Sequence, residues 1–305
     1  MAVALTKPAQ IEQPAPGLRM SDADLLGVLR GITGPALDPT DLNTRDVAFI
    51  RKLAPILYAI GMRYFRAEGE GLEHVPGTGS FIAVGNHSGA PLLPDMLLLG
   101  AWWAMEMGVE HASYMMVHDF PFRVPLLRNL LAKAGAMPAS RRNADRVLRA
   151  GARLLCFPGG DVDCMRSFRD RHRIDFEGHT GFVELAFKYG VPILPFVNVG
   201  GNEVYFTLFS GRGLARWTGL DRLTRVKAIP LTAGLPWGLW LTGFVPYLPL
   251  PAKFVYKVGA PIHLEHDPDR ANDRDAVQAA YRRVTGVMQD MCDDLASRRR
   301  FPVIG

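Results

Sequence analysis

Only three cysteines, Cys156, Cys164 and Cys292, occur in 305 residues, far apart and without Cys-x-x-Cys or Cys/His metal spacing around them. No metal site is therefore expected, and so small and odd a number suits a reducing compartment. The chain has neither a Gly-x4-Gly-Lys-Ser/Thr phosphate loop nor a Gly-x-Ser-x-Gly nucleophile elbow. The first absence excludes a P-loop site, and the second argues against a serine esterase. The N-terminal stretch MAVALTKPAQIEQPAPG has no sustained apolar core and no cleavage signal, so residues 1–20 read as a flexible tail. No internal repeat is visible. The basic residues are dispersed, with no aromatic-interleaved ribbon, which makes nucleic acid an unexpected partner.

What is present is a globular balance of 48% apolar and 21% charged residues, in a chain long enough to bury a core. Lys and Arg number 35 against 30 Asp and Glu, a net charge of +5. Such a surface favours anionic partners such as phospholipid headgroups or phosphate-bearing substrates like coenzyme A.

Ser21 and Asp24 have capping-box spacing and predict a short helix. RDVAFIRKLAPILYAIGMRYFR, residues 45–66, predicts a longer one kinked at Pro55. That helix either packs on the core or lies in a membrane interface with Arg51, Lys52, Arg63 and Arg66 at headgroup level. Strand and helix patterns then alternate from SFIAVGN onward, which argues for an α/β fold: a mostly parallel central sheet flanked by helices. VPILPFVNVG carries two prolines and is expected near an edge or a bulge. The final helix places Val277, Ala280, Tyr281, Val284, Val287, Met288, Met291 and Leu295 on one face. Residues 228–252 hold no charge but five prolines, against a straight spanning helix. They read as a wedge or short helical hairpin dipping into one leaflet, or lining an acyl-chain groove; an ordinary buried apolar loop is the plainer alternative. The domains follow as tail 1–20, N-terminal helices 21–72 and a main domain 73–305.

In parallel sheets ligands gather beyond the carboxyl ends of strands, and two turns there carry chemistry. FIAVGNHSGAPLLPD ends an apolar strand at His87, with Asp95 eight positions on. A neutral imidazole is a general base, and a carboxylate fixes its tautomer. Ser88, Gly89, Ala90 and Pro91 permit a reversal that returns Asp95 to His87. LLCFPGGDVDCMRSF ends a second strand in Phe157, Pro158, Gly159 and Gly160. The glycines let backbone N–H groups approach a phosphate or a developing oxyanion. Asp161 and Asp163 follow, a pair that suits metal or acid/base work, although no third ligand is evident.

The order NHSG…PD, GAMPASRRNADRVLRAG, LLCFPGGD, VPILPFVNVGG, over roughly residues 75–262, resembles the glycerolipid acyltransferase superfamily, the kin of 1-acylglycerol-3-phosphate acyltransferase. EGHTGFVELAFKYGVPILPFV and the Gly-Gly variant look more like its monoacylglycerol and diacylglycerol acyltransferase-like subgroup. The sequence departs from the family pattern twice. The His-x4-Asp acid would stand at Leu92, so Asp95 is displaced; and Gly159 stands where Phe-Pro-Glu-Gly has Glu, which leans toward a neutral or differently anchored acceptor.

The resemblance implies a membrane-associated O-acyltransferase of glycerolipid metabolism, peripheral or monotopic on the cytoplasmic face, with an N-terminal helical segment. It would move a fatty acyl group from acyl-CoA or acyl carrier protein to a lipid hydroxyl. No cofactor and no specific protein partner are implied. His87 would be the base and Asp95 its orienting acid, with Asp119 the alternative. Arg141, Arg142 and Arg166 would pair with donor or acceptor phosphates. Ser88 as nucleophile, Asp161, and His179 beside a site-bordering helix are secondary candidates. The rival readings are an acyl ester or thioester hydrolase and a membrane-binding homologue without chemistry.

Overall fold

The computed structural model describes residues 22–89, 94–111, 113–211, 213, 217, 230–241 and 247–305. The expected tail, and Ser21 of the expected capping box, lie outside them. The chain starts with α1 (Asp22–Thr33) and α2 (Val47–Arg63), the latter capped by the Asp46 side chain on the Phe49 N–H and holding Pro55 inside. Strands β1 (Glu68–Glu70), β2 (Ile82–Gly85), β3 (Tyr114–Val117), β4 (Ala136–Pro138), β5 (Leu154–Cys156) and β6 (Ile193–Val199) follow. Between them come α3 (Pro94–Met107), α4 (Pro125–Lys133), α5 (Arg141–Arg149), α6 (Gly160–Cys164) and α7 (Gly181–Tyr189). The chain then forms β7 (Phe206–Phe209), β8 (Leu231–Gly234), β9 (Gly238–Leu241), β10 (Val255–Val258) and α8 (Arg274–Ser297).

Seven strands make one sheet in the order β1-β10-β6-β2-β5-β3-β4, with only β10 against β6 antiparallel. Residues 68–70, grouped by sequence with the N-terminal helices, thus form an edge strand of the main sheet. Successive strand residues point to opposite faces. Ile82 and Val84 enter one core with α5, α7 and α8, while Phe81 and Ala83 enter the other with α2 and α3. α2 buries Phe49, Ile50, Ala54 and Tyr58, so its apolar face packs inward. On α8, Val287 turns out to solvent at the margin of the expected face.

Two expectations are corrected. β6 is not an edge strand: it pairs with β10 and β2 on its two sides. Its internal proline is tolerated because the Pro195 carbonyl accepts from the Gly259 N–H, just past the last residue of β10. The missing Pro195 N–H therefore falls beyond that ladder. Within 228–252, the described residues form a β-hairpin rather than a helical one. Leu231 pairs with Leu241 and Gly234 with Gly238, and β7 completes a three-stranded antiparallel sheet. The turn at Pro236 and Trp237, followed by Gly238 at φ +74°, folds the segment back before a helix forms. Among the described residues, no helix is long and apolar enough to cross a membrane.

Phe254 is fully buried and meets Phe65 edge-to-face and Tyr256 stacked. Phe254→Ala is expected to cost about 3–5 kcal/mol in urea unfolding.

Candidate active site

β2 and β5 are neighbours running parallel, so the His87 and Phe157 turns leave the same end of the sheet. Gly85 closes β2 because a Cβ there would lie 2.0 Å from the Phe196 ring. Asn86 then locks onto β6: its Nδ2 donates to the Asn198 carbonyl (2.9 Å), and its Oδ1 accepts from the Asn198 N–H (2.8 Å). His87 follows, 8% exposed, with its ring 4.9 Å from that of Phe157 between centroids.

Asp95 sits fully buried in the first turn of α3. Its Oδ2 lies 2.8 Å from His87 Nδ1 and also accepts the Ser88 N–H at 2.8 Å. The reversal read from the small residues and prolines therefore closes through one carboxylate oxygen. Two tyrosine hydroxyls brace it, Tyr256 donating to the Asp95 carbonyl (3.0 Å) and Tyr247 to the Gly89 carbonyl (2.9 Å). With Nδ1 donating to Asp95, the neutral ring carries its lone pair on Nε2. Burial alone would push the His87 pKa down. Asp95 opposes this most strongly, Asp163 and Asp161 add to it, and the net shift is upward from the ordinary value. Asp119 is half-exposed at the end of β3, near His118, and is not the acid His87 meets.

Arg166 is corrected: it is buried, binding Asp163 Oδ1 through Nε (3.2 Å) and Nη2 (3.0 Å) and the Asp175 carbonyl through Nη2. Its guanidinium is engaged by the protein's own carboxylate. The Gly160 N–H is likewise spent, closing the turn on the Phe157 carbonyl at 3.1 Å. The buried Ser88 hydroxyl donates to Asn198 Oδ1 (2.7 Å). Pro158, Gly159 and Asp161 stay with the Phe157 turn, and Asp161 is close enough to act on the imidazole electrostatically. Arg141 and Arg142 are exposed at the start of α5, beyond edge strand β4, and Arg141 pairs with Glu184. Two strands, β5 and β3, lie between β2 and β4, three inter-strand spacings or about 14 Å. His179 is exposed ahead of α7, its N–H on the Phe176 carbonyl.

The residues that sequence reasoning missed are Asn86, Asn198, Tyr247, Tyr256 and Glu203. The signal for the asparagines was a polar residue at the end of each of two apolar strands. Glu203 is 1% exposed in the turn after β6, held by Arg299 (2.6 and 2.8 Å) and Arg171 (3.2 Å), with the Val303 N–H at 2.7 Å. Burial pushes the thiols of Cys156 and Cys292 up to about 12 and that of Cys164 well above its usual value, which removes thiolate nucleophiles near neutral pH. Among the described residues, no group of three or more His, Cys, Asp or Glu is placed to hold a metal ion.

A sequence model of the Acyltransferase family matches residues 66–199, which include both turns. An uncharacterized protein of Mycobacterium leprae (strain TN) is 32% identical over 212 residues, 69% of this chain and 54% of its own. Phytyl ester synthase 1 of Arabidopsis thaliana is 25% identical over 257 residues, 75% of this chain and 34% of its own. Diacylglycerol O-acyltransferase 2 of Homo sapiens is 31% identical over 100 residues, 32% of this chain and 26% of its own. The chain spans about half the length of the mycobacterial relatives it matches. The crystal structure of the 1-acyl-sn-glycerophosphate acyltransferase of Thermotoga maritima superposes with a TM-score of 0.49 at 18% identity, covering 83% of this chain and 84% of that one.

Because the Asp95 anion favours the imidazolium, Asp95→Asn is expected to move the His87 titration, followed by NMR, to lower pH. In the unsubstituted protein that titration lies above the ordinary value of about 6.5.

Proposed function

We propose that the chain, whose residues 66–199 match a model of the Acyltransferase family, transfers a fatty acyl group from a thioester to the hydroxyl of a glycerolipid or other lipid alcohol. The single observation that carries this is the 2.8 Å contact of His87 Nδ1 with Asp95, which leaves Nε2 as the basic atom. Nε2 removes the acceptor hydroxyl proton as its oxygen attacks the thioester carbonyl. The tetrahedral intermediate then collapses, the C–S bond breaks, and the imidazolium returns the proton to the leaving thiolate. General-base catalysis of this kind is worth about 10²–10⁴-fold. The raised His87 pKa strengthens the base and sets the acid limb of the pH profile, where activity rises as the ring loses its proton.

The donor is acyl-CoA or acyl carrier protein. An uncharged acceptor is favoured on two grounds: Arg166 is committed to Asp163, and two relatives are named for diacylglycerol and phytyl esters.

The chain works at a membrane surface, peripheral or monotopic on the cytoplasmic face. The three-stranded sheet follows β6 directly and exposes Phe209, Leu235, Trp237 (57%), Leu239 (64%) and Leu241, an apolar surface that water does not favour. Tryptophan suits the bilayer interface.

With labelled acyl-CoA and a panel of diacylglycerol, lysophospholipid and fatty alcohol, His87→Ala is expected to lose at least about 10²-fold in transfer while unfolding like the unsubstituted protein. Transfer at full rate by that variant would overturn the reading. The triple substitution Leu235→Glu/Trp237→Glu/Leu239→Glu should release the protein from co-sedimenting liposomes. Undiminished sedimentation would remove the hairpin from the membrane surface.

A further inference from the structure

In the sequence Asp163 was one half of a carboxylate pair with no assigned partner. In the structure it is 2% exposed and faces two ways. Oδ2 accepts the backbone N–H of His87 at 2.7 Å, and Oδ1 meets Arg166 Nε and Nη2 at 3.2 and 3.0 Å. The Phe157–Gly160 turn is shaped around this carboxylate. A Cβ on Gly159 would fall 2.4 Å from Asp163 Cβ and 2.9 Å from Oδ2. The glycine standing where the family pattern has Glu thus has a steric cause: the space a side chain needs is taken.

We propose that Asp163 is a positioning residue for the transfer reaction. It ties the backbone of His87 to the Phe157–Gly160 turn and, with Arg166, sets the charge that the imidazole meets from behind.

The argument is one of tethers. Asp95 holds the ring through Nδ1, but the ring swings with its own backbone, and the peptide that carries the His87 N–H is held by Asp163 Oδ2 at that N–H and by Asn198 Nδ2 at the Asn86 carbonyl. Displacing a catalytic group by about 1 Å can cost on the order of 10²-fold in rate. The charged and titratable groups facing His87 are Asp95 on α3, Asp161 and Asp163 on α6, and Arg166 just beyond, bound to Asp163. Tyr247 and Tyr256 border Asp95, and burial pushes both hydroxyls well above their usual range, so they stay neutral. Burial also pushes the Asp163 carboxyl upward, against the pull of Arg166 and the His87 N–H, and the anion remains the form that matches its donors.

With His87 as general base, the reading on which this rests, the test uses Asp163→Asn and the double variant Asp163→Asn/Arg166→Gln in the full chain. The single variant strands a buried guanidinium and can fail to fold, whereas the double leaves no unpaired buried charge. Both keep an oxygen able to accept from the His87 N–H but lose the anion. The double variant is expected to unfold cooperatively. Its kcat should fall about 10-fold or more, with KM for the acyl donor within about 3-fold. The His87 NMR titration and the acid limb of kcat/KM should both move to lower pH, because a stabiliser of the imidazolium has gone. A folded double variant with unchanged kcat and unshifted titration would overturn the assignment of Asp163 while leaving the base in place. His87→Gln running at full rate would instead overturn the base, and the positioning role with it.

Discussion

One oxygen, Asp95 Oδ2, holds the site together. It accepts from the ring of His87 and from the N–H of Ser88 at the same 2.8 Å, so ring orientation and turn closure are a single constraint. The carboxylate can do this only because α3 begins at that point and Tyr256 holds its carbonyl. A buried anion is costly unless its donors are supplied by the surrounding structure. Here two come from the segment that the anion itself closes. The displacement of the acid from position 92 to 95 therefore leaves the contact intact, at the cost of a longer reversal.

The electrostatics follow from burial. Three carboxylates, Asp95, Asp161 and Asp163, act on one nearly enclosed imidazole, and Arg166 answers only Asp163. The surplus negative charge makes the ring a stronger base than its burial would allow. The sheet supplies the frame. Because β2 and β5 are adjacent and parallel, the two turns leave one end together, and the Asn86–Asn198 exchange fixes that end to β6.

Much of this was legible in the residues. Alternating apolar runs predicted a largely parallel sheet, and His87 with Asp95 was readable from a strand end followed by small residues and proline. What escaped depended on which side of a strand or turn a group would face. Pro195 reads as an edge signal, yet its missing N–H falls where β10 has ended. Arg166 reads as a free cation, yet a carboxylate three residues earlier in a one-turn helix claims it. Residues 228–252 have the composition of a membrane helix, but Pro236 and Gly238 leave only strand-length runs, and a strand needs partners that local sequence does not reveal. Glu203 was invisible for the same reason, since its cations come from far along the chain.

That last distance has a temporal side. The turn carrying Glu203 lies against the His87–Ser88 turn, close enough that a Cβ on Gly201 would strike Ser88 Oγ. Glu203 is neutralised chiefly by Arg299, ninety-six residues downstream. While the polypeptide is still emerging from the ribosome, that carboxylate lacks its principal counter-ion and resists burial. The support beneath Ser88 is thus complete only once residue 299 is in place.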